Sequence, residues 1–355
     1  MGQRKIVACA ARVKFAAFAA LGVMAAGALL TMEAGAQSVA EFYKGKQGNM
    51  YVGNPPGGGY DSYVRLASRH LGRMIPGNPT FIVNHMPGAG GLRVTGHMYN
   101  VAPKDGTAIA LTQRAILTAP LLDPNDKEMT FDAQKLNWVG SLNVDIGYIV
   151  VWHTAPHKSL DDLFKHELIV GSSNPNSETI PYLLNNVFNT KLRIVSGYQA
   201  GTEILLAMER GEVQSRILGS ISGLETFMEN WIKEEKIRFL AAVSPRRSPA
   251  MPNLPSLMEL GKTDQHKQML NLVLSSQLWG RPFMLPPGVP ADRVKAVREA
   301  FYKMTEDSQF LADAKKMDLP IDLLKGEEMH EILDQLYATP KDVVAATRKA
   351  VTPTK

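Results

Sequence analysis

Gly57-Gly58-Gly59-Tyr60-Asp61 decides the fold, because it joins a strand-like segment, Met50–Gly53, to a helix-like segment, Ser62–Ala67. Backbone N–H groups in the first turn of a helix have no intrahelical partner, and the helix dipole adds about half a positive charge there. Glycines let a ligand approach the main chain closely, and Asp61 is placed to cap the first turn. The stretch predicts an anion site at the start of a helix; a plain βα turn is the alternative.

A second glycine-rich loop repeats this arrangement. Val83–Gly91 runs from a predicted strand, Thr80–Val83, into a predicted helix, Leu92–Asn100. Two such loops early in the chain favour a ligand site over two unrelated tight turns. The residues predicted to contact ligand from this half of the chain are Asn54, Pro55, Gly57, Gly58, Gly59, Asp61, Gln113 and Arg114.

Three loops in the second half also follow predicted strands. Gly171–Ser177 offers hydroxyls, an amide and backbone N–H groups, Ser196–Thr202 places Thr202 as a helix N-cap, and Gly219–Ser222 is the third. Each alone is consistent with a simple capping turn. Open α/β sheets bind ligands at the carboxyl ends of their strands, so together the loops favour a site. The residues predicted there are Ser172, Ser173, Asn174, Ser177, Tyr198, Gly201, Thr202 and Ser220, with Tyr198 suited to a pocket wall.

Short apolar runs alternate with helical patterns along the chain, which predicts an α/β protein with largely parallel sheets. The predicted strands are Met50–Gly53, Thr80–Val83, Ala108–Leu111, Trp138–Leu142, Tyr148–Trp152, Leu168–Gly171, Leu192–Ser196, Val213–Leu218 and Phe239–Val243. The helices predicted between them include Thr179–Phe188, Glu203–Arg210 and Leu224–Ile232.

The end of the chain, from Pro290 onward, shows helical patterns alone. The helices predicted there are Ala291–Lys303, Ser308–Lys316, Glu327–Leu336 and Lys341–Ala350. A tail without a strand of its own must pack on a sheet built earlier, so we expect it to return to the first domain.

That return requires two crossings between domains, predicted near Asn137–Trp152 and Leu274–Leu285. The predicted division is a discontinuous domain 1, residues 37–142 plus 280–355, and a domain 2, residues 143–279. A cleft between two lobes joined by two crossing strands is the expected consequence.

Residues 1–36 have the pattern of an export signal. Basic residues precede an apolar run, Phe15–Leu30, and Ala34-Gly35-Ala36 forms an A-x-A site, so cleavage is predicted before Gln37. The expected location is the periplasm; a permanent membrane anchor is the alternative, although the apolar run is short and rich in alanine. Cys9, the only cysteine of the sequence, leaves with the signal, so the exported protein has no disulfide.

The charge balance argues against nucleic acid as a partner. The whole sequence has 39 Lys and Arg against 34 Asp and Glu, and removal of the signal leaves 35 basic and 33 acidic residues, a net charge of +2. Basic residues are not interleaved with aromatic residues in a stripe, which nucleic-acid binding favours.

Several motifs resemble, in order and spacing, those of a known receptor family. They are Pro56–Asp61, Val83-Asn84 with Pro87–Gly91, Pro103–Thr107, Ser244–Ser256 and Pro286–Pro290. Together they resemble the extracytoplasmic solute receptors of the tripartite tricarboxylate transporter family, the TctC type. The resemblance implies a two-lobed periplasmic-binding-protein (Venus-flytrap) fold that closes on a small organic carboxylate and delivers it to membrane permease subunits. It also implies carboxylate contacts through backbone amides, hydroxyls and waters without a cofactor or metal, and we expect a monomer.

The chain departs from the family pattern near the expected pocket. Asn54-Pro55 stands where small apolar or aromatic residues are usual, Gln113-Arg114 where small polar residues are usual, and Gln214 where Asp is usual. Arg114 at the cleft would pair a second carboxylate bidentately. A surface arginine away from the ligand is the alternative.

Enzyme motifs are missing from the sequence. It has no G-x-S-x-G elbow, P-loop or H-E-x-x-H, and although His153 and His157 are four apart, Pro156 intervenes and no carboxylate completes a metal set. Two alternatives to a transport receptor remain. A ligand sensor would need the same closure, and an enzyme on this fold would need a nucleophile and base in the cleft.

Overall fold

The computed structural model describes residues 37–124, 127, 129–173, 175–218 and 225–353, so the predicted signal, residues 1–36, lies outside it. The strands are β1 (Gln47–Val52), β2 (Thr80–His85), β3 (Ala108–Leu111), β4 (Asn137–Ser141), β5 (Gly147–Trp152), β6 (Leu168–Gly171), β7 (Leu192–Val195), β8 (Ser215–Leu218), β9 (Ile237–Val243), β10 (Pro282–Leu285) and β11 (Leu324–Lys325). The helices are α1 (Val39–Tyr43), α2 (Gly59–His70), α3 (Leu92–Asn100), α4 (Ala119–Leu122), α5 (Pro175–Phe188), α6 (Gly201–Glu209), α7 (Glu225–Lys233), α8 (Asp264–Leu274), α9 (Ala291–Glu306), α10 (Ser308–Lys316), α11 (Gly326–Tyr337) and α12 (Lys341–Ala350).

The strands form two separate sheets. Sheet A has the order β11-β4-β10-β3-β1-β2 and sheet B the order β7-β6-β8-β5-β9. In sheet A, β1 is parallel to β2 and β3, whereas β10 is antiparallel to β3 and β4. In sheet B, β6 is parallel to β7 and β8, whereas β5 is antiparallel to β8 and β9. Each sheet is therefore mixed: β1–β4 share one direction against β10 and β11, and β6–β9 share one direction against β5, so the prediction of largely parallel sheets holds for most strands and fails for these three. The physical reason is that β5 and β10 enter their sheets from the opposite sheet rather than through a βαβ crossover.

Both connections between the sheets run beside each other. The chain leaves sheet A after β4, enters sheet B as β5, and returns to sheet A as β10. The backbone N–H of Leu142 donates to the Arg281 carbonyl at 3.2 Å, and the N–H of Gly280 donates to the Asn143 carbonyl at 2.9 Å. Since β5 begins where β8 ends, and β10 begins beside the end of β3, both connections join the carboxyl edges of the parallel strands. The loops at these two edges are therefore brought toward one region.

The apolar core continues from one sheet to the other. The ring centroids of Trp138 and Trp279 lie 4.6 Å apart, and both side chains are fully buried. A second cluster covers the other face of sheet A, where Tyr63, Phe283 and Phe301 are fully buried. Edge-to-face aromatic pairs of this kind add to the free energy that area burial gives. The two sheets thus share part of one core.

The C-terminal helices follow the expected course in part. α9 and α11 pack on β4, as a tail returning to sheet A should. The tail is not free of strands, however, because Leu324–Lys325 forms the short β11, antiparallel to β4. α12 also lies against α5 and α8, and Asn186 donates to the Ala350 carbonyl at 2.8 Å. Within the described ranges, no helix combines the length and the apolar character needed to span a bilayer.

Candidate functional site

The first glycine loop presents exposed backbone at the start of α2. Residues 55–59 are all exposed. Gly57 has φ +91°, a left-handed angle that favours glycine, and a side chain at either Gly57 or Gly58 would have no atom within 4 Å. Gly58 itself is extended, with φ −106°, so any residue can adopt its backbone angle. The loop therefore combines an open approach with the free N–H groups of a helix N-terminus.

Asp61 holds this loop to its surroundings. One carboxylate oxygen accepts the backbone N–H of Gly57 at 2.9 Å. The other accepts Nε of Arg65 at 2.8 Å and lies 2.7 Å from Nε2 of His85, at the end of β2. Burial acts to raise the pKa of Asp61, but the hydrogen bonds from Gly57, Arg65 and His85 together lower it below its usual value. The carboxylate is thus kept charged, and His85 is occupied by Asp61.

The predicted capping role of Asp61 is different in the structure. α2 begins at Gly59, three residues earlier than predicted, with Gly58 as its N-cap and no side-chain cap. Asp61 is consequently the third helical residue and reaches back to the N–H of Gly57. Asp61 thus has the position of the acidic residue of a capping box, but it accepts the N–H of Gly57, one residue before the N-cap Gly58.

The second glycine loop packs against the end of β3. A side chain at Gly91, which has φ +93°, would lie 2.8 Å from the Thr112 hydroxyl and 3.0 Å from the backbone N of Gln113. Thr95 donates to the Gly91 carbonyl at 2.8 Å. The glycines of this loop therefore allow close packing of two backbones, which places Gln113 beside the loop.

Arg114 belongs to a charged cluster at the crossings. Its Nη1 donates to Oδ2 of Asp145 at 3.2 Å, and Nη1 of Arg281 donates to the same oxygen at 2.6 Å. Asn143 donates to Oδ1 of Asp145 at 2.9 Å. The side chain of Asp145 is 2% exposed, that of Arg281 8% and that of Arg114 23%. Arg114 therefore forms an ion pair within the protein. The sequence had suggested either a contact with the ligand or a surface arginine away from it.

Sequence reasoning missed Asp145 and Arg281. The guanidinium carbon of Arg281 lies 4.6 Å from the ring centroid of Tyr60 and 4.8 Å from that of Tyr63. Burial acts to lower the pKa of Arg281, but the charge of Asp145 raises it above its usual value. The sequence could have pointed to both residues, because each is the charged residue of a predicted crossing: Asp145 in Asn137–Trp152 and Arg281 in Leu274–Leu285.

On sheet B, Ser172 and Ser177 meet around Glu178. The two hydroxyl oxygens lie 2.7 Å apart, and Ser172 donates to Oε1 of Glu178 at 3.0 Å. Ser196, at the end of β7, donates to the same oxygen at 2.6 Å. Ser172 is buried and Ser173, next to it, is half-buried. Glu178 joins two loops in this way and was not among the predicted residues.

Gly201 makes room for Arg216 of β8. A side chain at Gly201 would lie 1.9 Å from Nη2 of Arg216, whose Nη1 donates to the Gly201 carbonyl at 2.9 Å. Burial lowers the pKa of Arg216. Thr202 was predicted as an N-cap, but Ala200 takes that position and Thr202 is an exposed residue inside α6. The helix begins earlier than expected because Glu203 accepts the N–H of Gln199 at 2.7 Å.

The remaining predicted residues are spread around these groups. Tyr198 is half-buried against the core of sheet B, where burial and the charge of Glu212 raise its pKa. Pro55 is exposed, and Oδ1 of Asn54 is buried with no donor among the described residues. Asn174 and Ser220 lie outside the described residues. In the part of the chain that the structure describes, His, Cys, Asp and Glu do not gather into a metal site.

The family of the chain follows from its match to a sequence model. The model of the tripartite tricarboxylate transporter family receptor matches residues 64–319. The chain belongs to this receptor family. A relative of this receptor, the UPF0065 protein in the gbd 5' region of Cupriavidus necator, is 26% identical over 343 residues, 91% of this chain and 94% of the relative.

Solved structures share the fold of the receptor. A TctC solute binding protein from Polaromonas superposes with a TM-score of 0.65 at 17% identity, covering 86% of this chain and 99% of that one. An R. palustris protein solved with adipate gives a TM-score of 0.58 at 18% identity, covering 86% of this chain and 98% of that one. The family resemblance and the two-lobed periplasmic-binding-protein fold are both confirmed.

Proposed function

We propose that the protein is an exported receptor that binds a small organic carboxylate between the carboxyl edges of its two sheets and delivers it to membrane permease subunits. The observation that carries this proposal is the exposed backbone of Gly57–Gly59 at the start of α2. Free N–H groups and the helix dipole favour an anion there. Membership of a transporter receptor family supports transport over sensing or catalysis.

Dicarboxylates are the ligand class to test first. The R. palustris structure of the same fold holds adipate, a linear dicarboxylate. In this chain, one carboxylate would take the N–H groups of Gly58 and Gly59, since Asp61 accepts that of Gly57, and the loop that contains Ser172 and Ser173 would face the other end. Hydroxyl and amide donors suit a carboxylate because hydrogen bonds to a charged acceptor are stronger than those between neutral groups.

A thermal-shift screen of residues 37–355 against mono- and dicarboxylates tests the proposal. A ligand at 100 times its Kd should stabilise the protein by about 2.7 kcal/mol. Matched neutral diamides serve as the control, because they have the same length without the charge. Stabilisation by diamides and carboxylates alike, or by neither, would contradict a carboxylate receptor.

Movement of the two predicted domains follows from the same proposal. Residues 37–142 plus 280–355 would close against residues 143–279 around the paired crossing segments, as rigid bodies. Solution scattering should then show a smaller radius of gyration with the ligand from the screen, and the protein alone should scatter as a monomer. An unchanged radius with a tight ligand would argue against closure.

Export is tested separately. Protein recovered from the periplasm of an expressing bacterium should have an intact mass that begins at or near Gln37, since the A-x-A site ends at Ala36. Recovery of the uncleaved chain in the membrane fraction would contradict a cleaved signal.

A further inference from the structure

The guanidinium of Arg281 binds the protein through Nη1, whereas its Nε has no acceptor among the described residues. Nη1 donates to Oδ2 of Asp145 and to the Gly280 carbonyl, both at 2.6 Å. Nε is buried and has no hydrogen-bond partner among the residues that the structure describes. The side chain as a whole is 8% exposed. An N–H that is buried without an acceptor is costly, so its retention in the fold calls for a partner.

The Nε side of Arg281 has the shape that a carboxylate fits. The N–H groups of a guanidinium lie in a rigid plane, and the Nε–H is parallel to one N–H of Nη2. A carboxylate accepts both in a bidentate pair. The rings of Tyr60 and Tyr63 both pack against the guanidinium, with centroids 4.6 Å and 4.8 Å from its carbon, which restricts the movement of the side chain.

The guanidinium of Arg281 lies at the N-terminus of α2. Nη2 is 3.4 Å from the position that a Cβ of Gly59 would occupy. The adjoining Gly57 and Gly58 have open space where a side chain would be. α2 has 12 residues, so its first N–H groups carry the full partial charge of a helix terminus. A buried cation and a helix N-terminus therefore point to one place.

The charge of the cluster also calls for an anion. Arg114 and Arg281 share one oxygen of Asp145, and the other oxygen of Asp145 accepts from the neutral Asn143. Two cations on one carboxylate leave one positive charge in excess. Because Asp145 and Arg281 are almost fully buried, water screens this charge poorly, and a carboxylate ligand would neutralise it.

We propose that Arg281 binds the ligand carboxylate through Nε and Nη2, together with the N–H groups at the start of α2. The inference rests on the proposed function, since it assigns a residue to the same carboxylate site. Arg114 is on this view a partner of Asp145 and not the residue that pairs the ligand. Arg281 would then determine that the receptor prefers a ligand with a carboxylate to one with a neutral group in the same position.

The test measures ligand preference by calorimetry on residues 37–355. Linear mono- and dicarboxylates of three to eight carbons are screened, and the tightest binder is compared with its own amide. In Arg281→Lys, which keeps a cation for Asp145 and loses the planar fork, we expect affinity for the carboxylate to fall at least tenfold and the amide to bind as before. Arg281→Gln should show the same loss, whereas Arg114→Ala, which removes the excess charge and keeps the planar fork of Arg281, should lower carboxylate affinity by less than Arg281→Lys does.

Asp145→Asn separates a ligand-binding role from a structural one without altering Arg281. If Arg281 binds the ligand, loss of the competing carboxylate should keep or increase carboxylate affinity and widen the preference over the amide. If Arg281 only clamps the crossings, Asp145→Asn and Arg281→Lys should weaken both ligands in parallel, which would overturn the proposal. Retained affinity in Arg281→Lys would also overturn it, while wild-type protein that binds no carboxylate would refute the proposed function itself.

Discussion

The carboxyl edges of the two sheets are organised by acidic residues with different partners. At sheet A, Asp61 lies between Arg65, His85 and the Gly57 N–H. At sheet B, Glu178 accepts from the hydroxyls of Ser172 and Ser196. A carboxylate paired with an arginine is held more strongly than one that has only neutral partners. The comparison indicates a fixed loop at sheet A and a more adaptable one at sheet B.

The same contrast holds for one arginine near each of these edges. Arg281, at the sheet A edge, has Asp145 as a counter-charge. Arg216, in sheet B, donates to the Gly201 carbonyl, and among the described residues no carboxylate forms an ion pair with it. Burial accordingly lowers the pKa of Arg216, whereas the charge of Asp145 raises that of Arg281. An ion pair with Asp145 holds Arg281 at the edge of sheet A. A hydrogen bond to the backbone carbonyl of Gly201 holds Arg216 in sheet B.

Replacing the two acidic residues gives the largest expected difference. Asp61→Ala leaves the N–H of Gly57 and the ring of His85 without an acceptor, so we expect unfolding free energy to fall by about 2 to 3 kcal/mol. The half-exposed Arg65 should contribute little to that loss. Urea unfolding followed by circular dichroism measures the change.

Glu178→Ala is the matched variant at sheet B. The exposed Ser196 can donate to water instead, and the buried Ser172 keeps the Ser177 hydroxyl as a partner, so the expected loss is about 1 kcal/mol. Equal losses for the two variants would contradict the distinction between a charge-paired and a hydroxyl-bonded loop.

The second expected effect is steric and concerns sheet B. Gly201→Ala places a Cβ 1.9 Å from Nη2 of Arg216, so the guanidinium must move away from the Gly201 carbonyl. Overpacking of a buried site of this kind costs about 2 kcal/mol. Thermal unfolding of Gly201→Ala and of the double variant with Arg216→Ala measures it. The double variant should recover much of the stability lost through the clash; the same loss in both would show that Arg216 is not what the new methyl group meets.

The third effect is the pH dependence that Asp61 contributes. Its pKa is lower in the folded protein than the usual value of about 3.9, so its stabilisation is complete above about pH 5 and is lost as the pH falls through the folded value. The difference in unfolding free energy between the wild type and Asp61→Asn should therefore be constant from pH 5 to 7. It should shrink as the pH falls toward 3. A difference that grows in acid would contradict the lowered pKa.

Much of the fold could be predicted because periodicity and turn residues act over short distances. All nine predicted strands are present within a few residues of their predicted ends. β10 and β11 were not among the predicted strands: Pro282–Leu285 was predicted only as part of a crossing near Leu274–Leu285, and Leu324–Lys325 is too short to show periodicity. The antiparallel direction of β5 and β10 was missed because it depends on how the chain crosses between sheets, which local sequence does not encode.

The site was predictable in its loops and not in its charged residues. Glycine clusters after strands have a local signature, so the Gly57–Gly59 loop could be found from the sequence. Arg281 and Asp145 are 136 residues apart, and only the fold brings them together. The helix begins at Gly59, whereas the predicted start was Ser62, because glycine has a low helix propensity. The roles of Asp61 and Thr202 as caps changed with the positions of those helix starts.

The smallest expected effect on stability concerns adjacent glycines of the sheet A loop. Gly57 has φ +91°, so Gly57→Ala should cost about 1 kcal/mol through backbone strain alone. Gly58 has φ −106° and open space around it, so Gly58→Val should change the unfolding free energy by less than about 0.5 kcal/mol. If the loop N–H groups bind a carboxylate, the valine side chain nevertheless stands where the ligand approaches, and calorimetry should show at least a tenfold loss of affinity, about 1.4 kcal/mol. Because Gly58→Val separates binding from stability, unchanged affinity in that variant would place the carboxylate away from this loop and leave the charged edge of sheet A with a purely structural role.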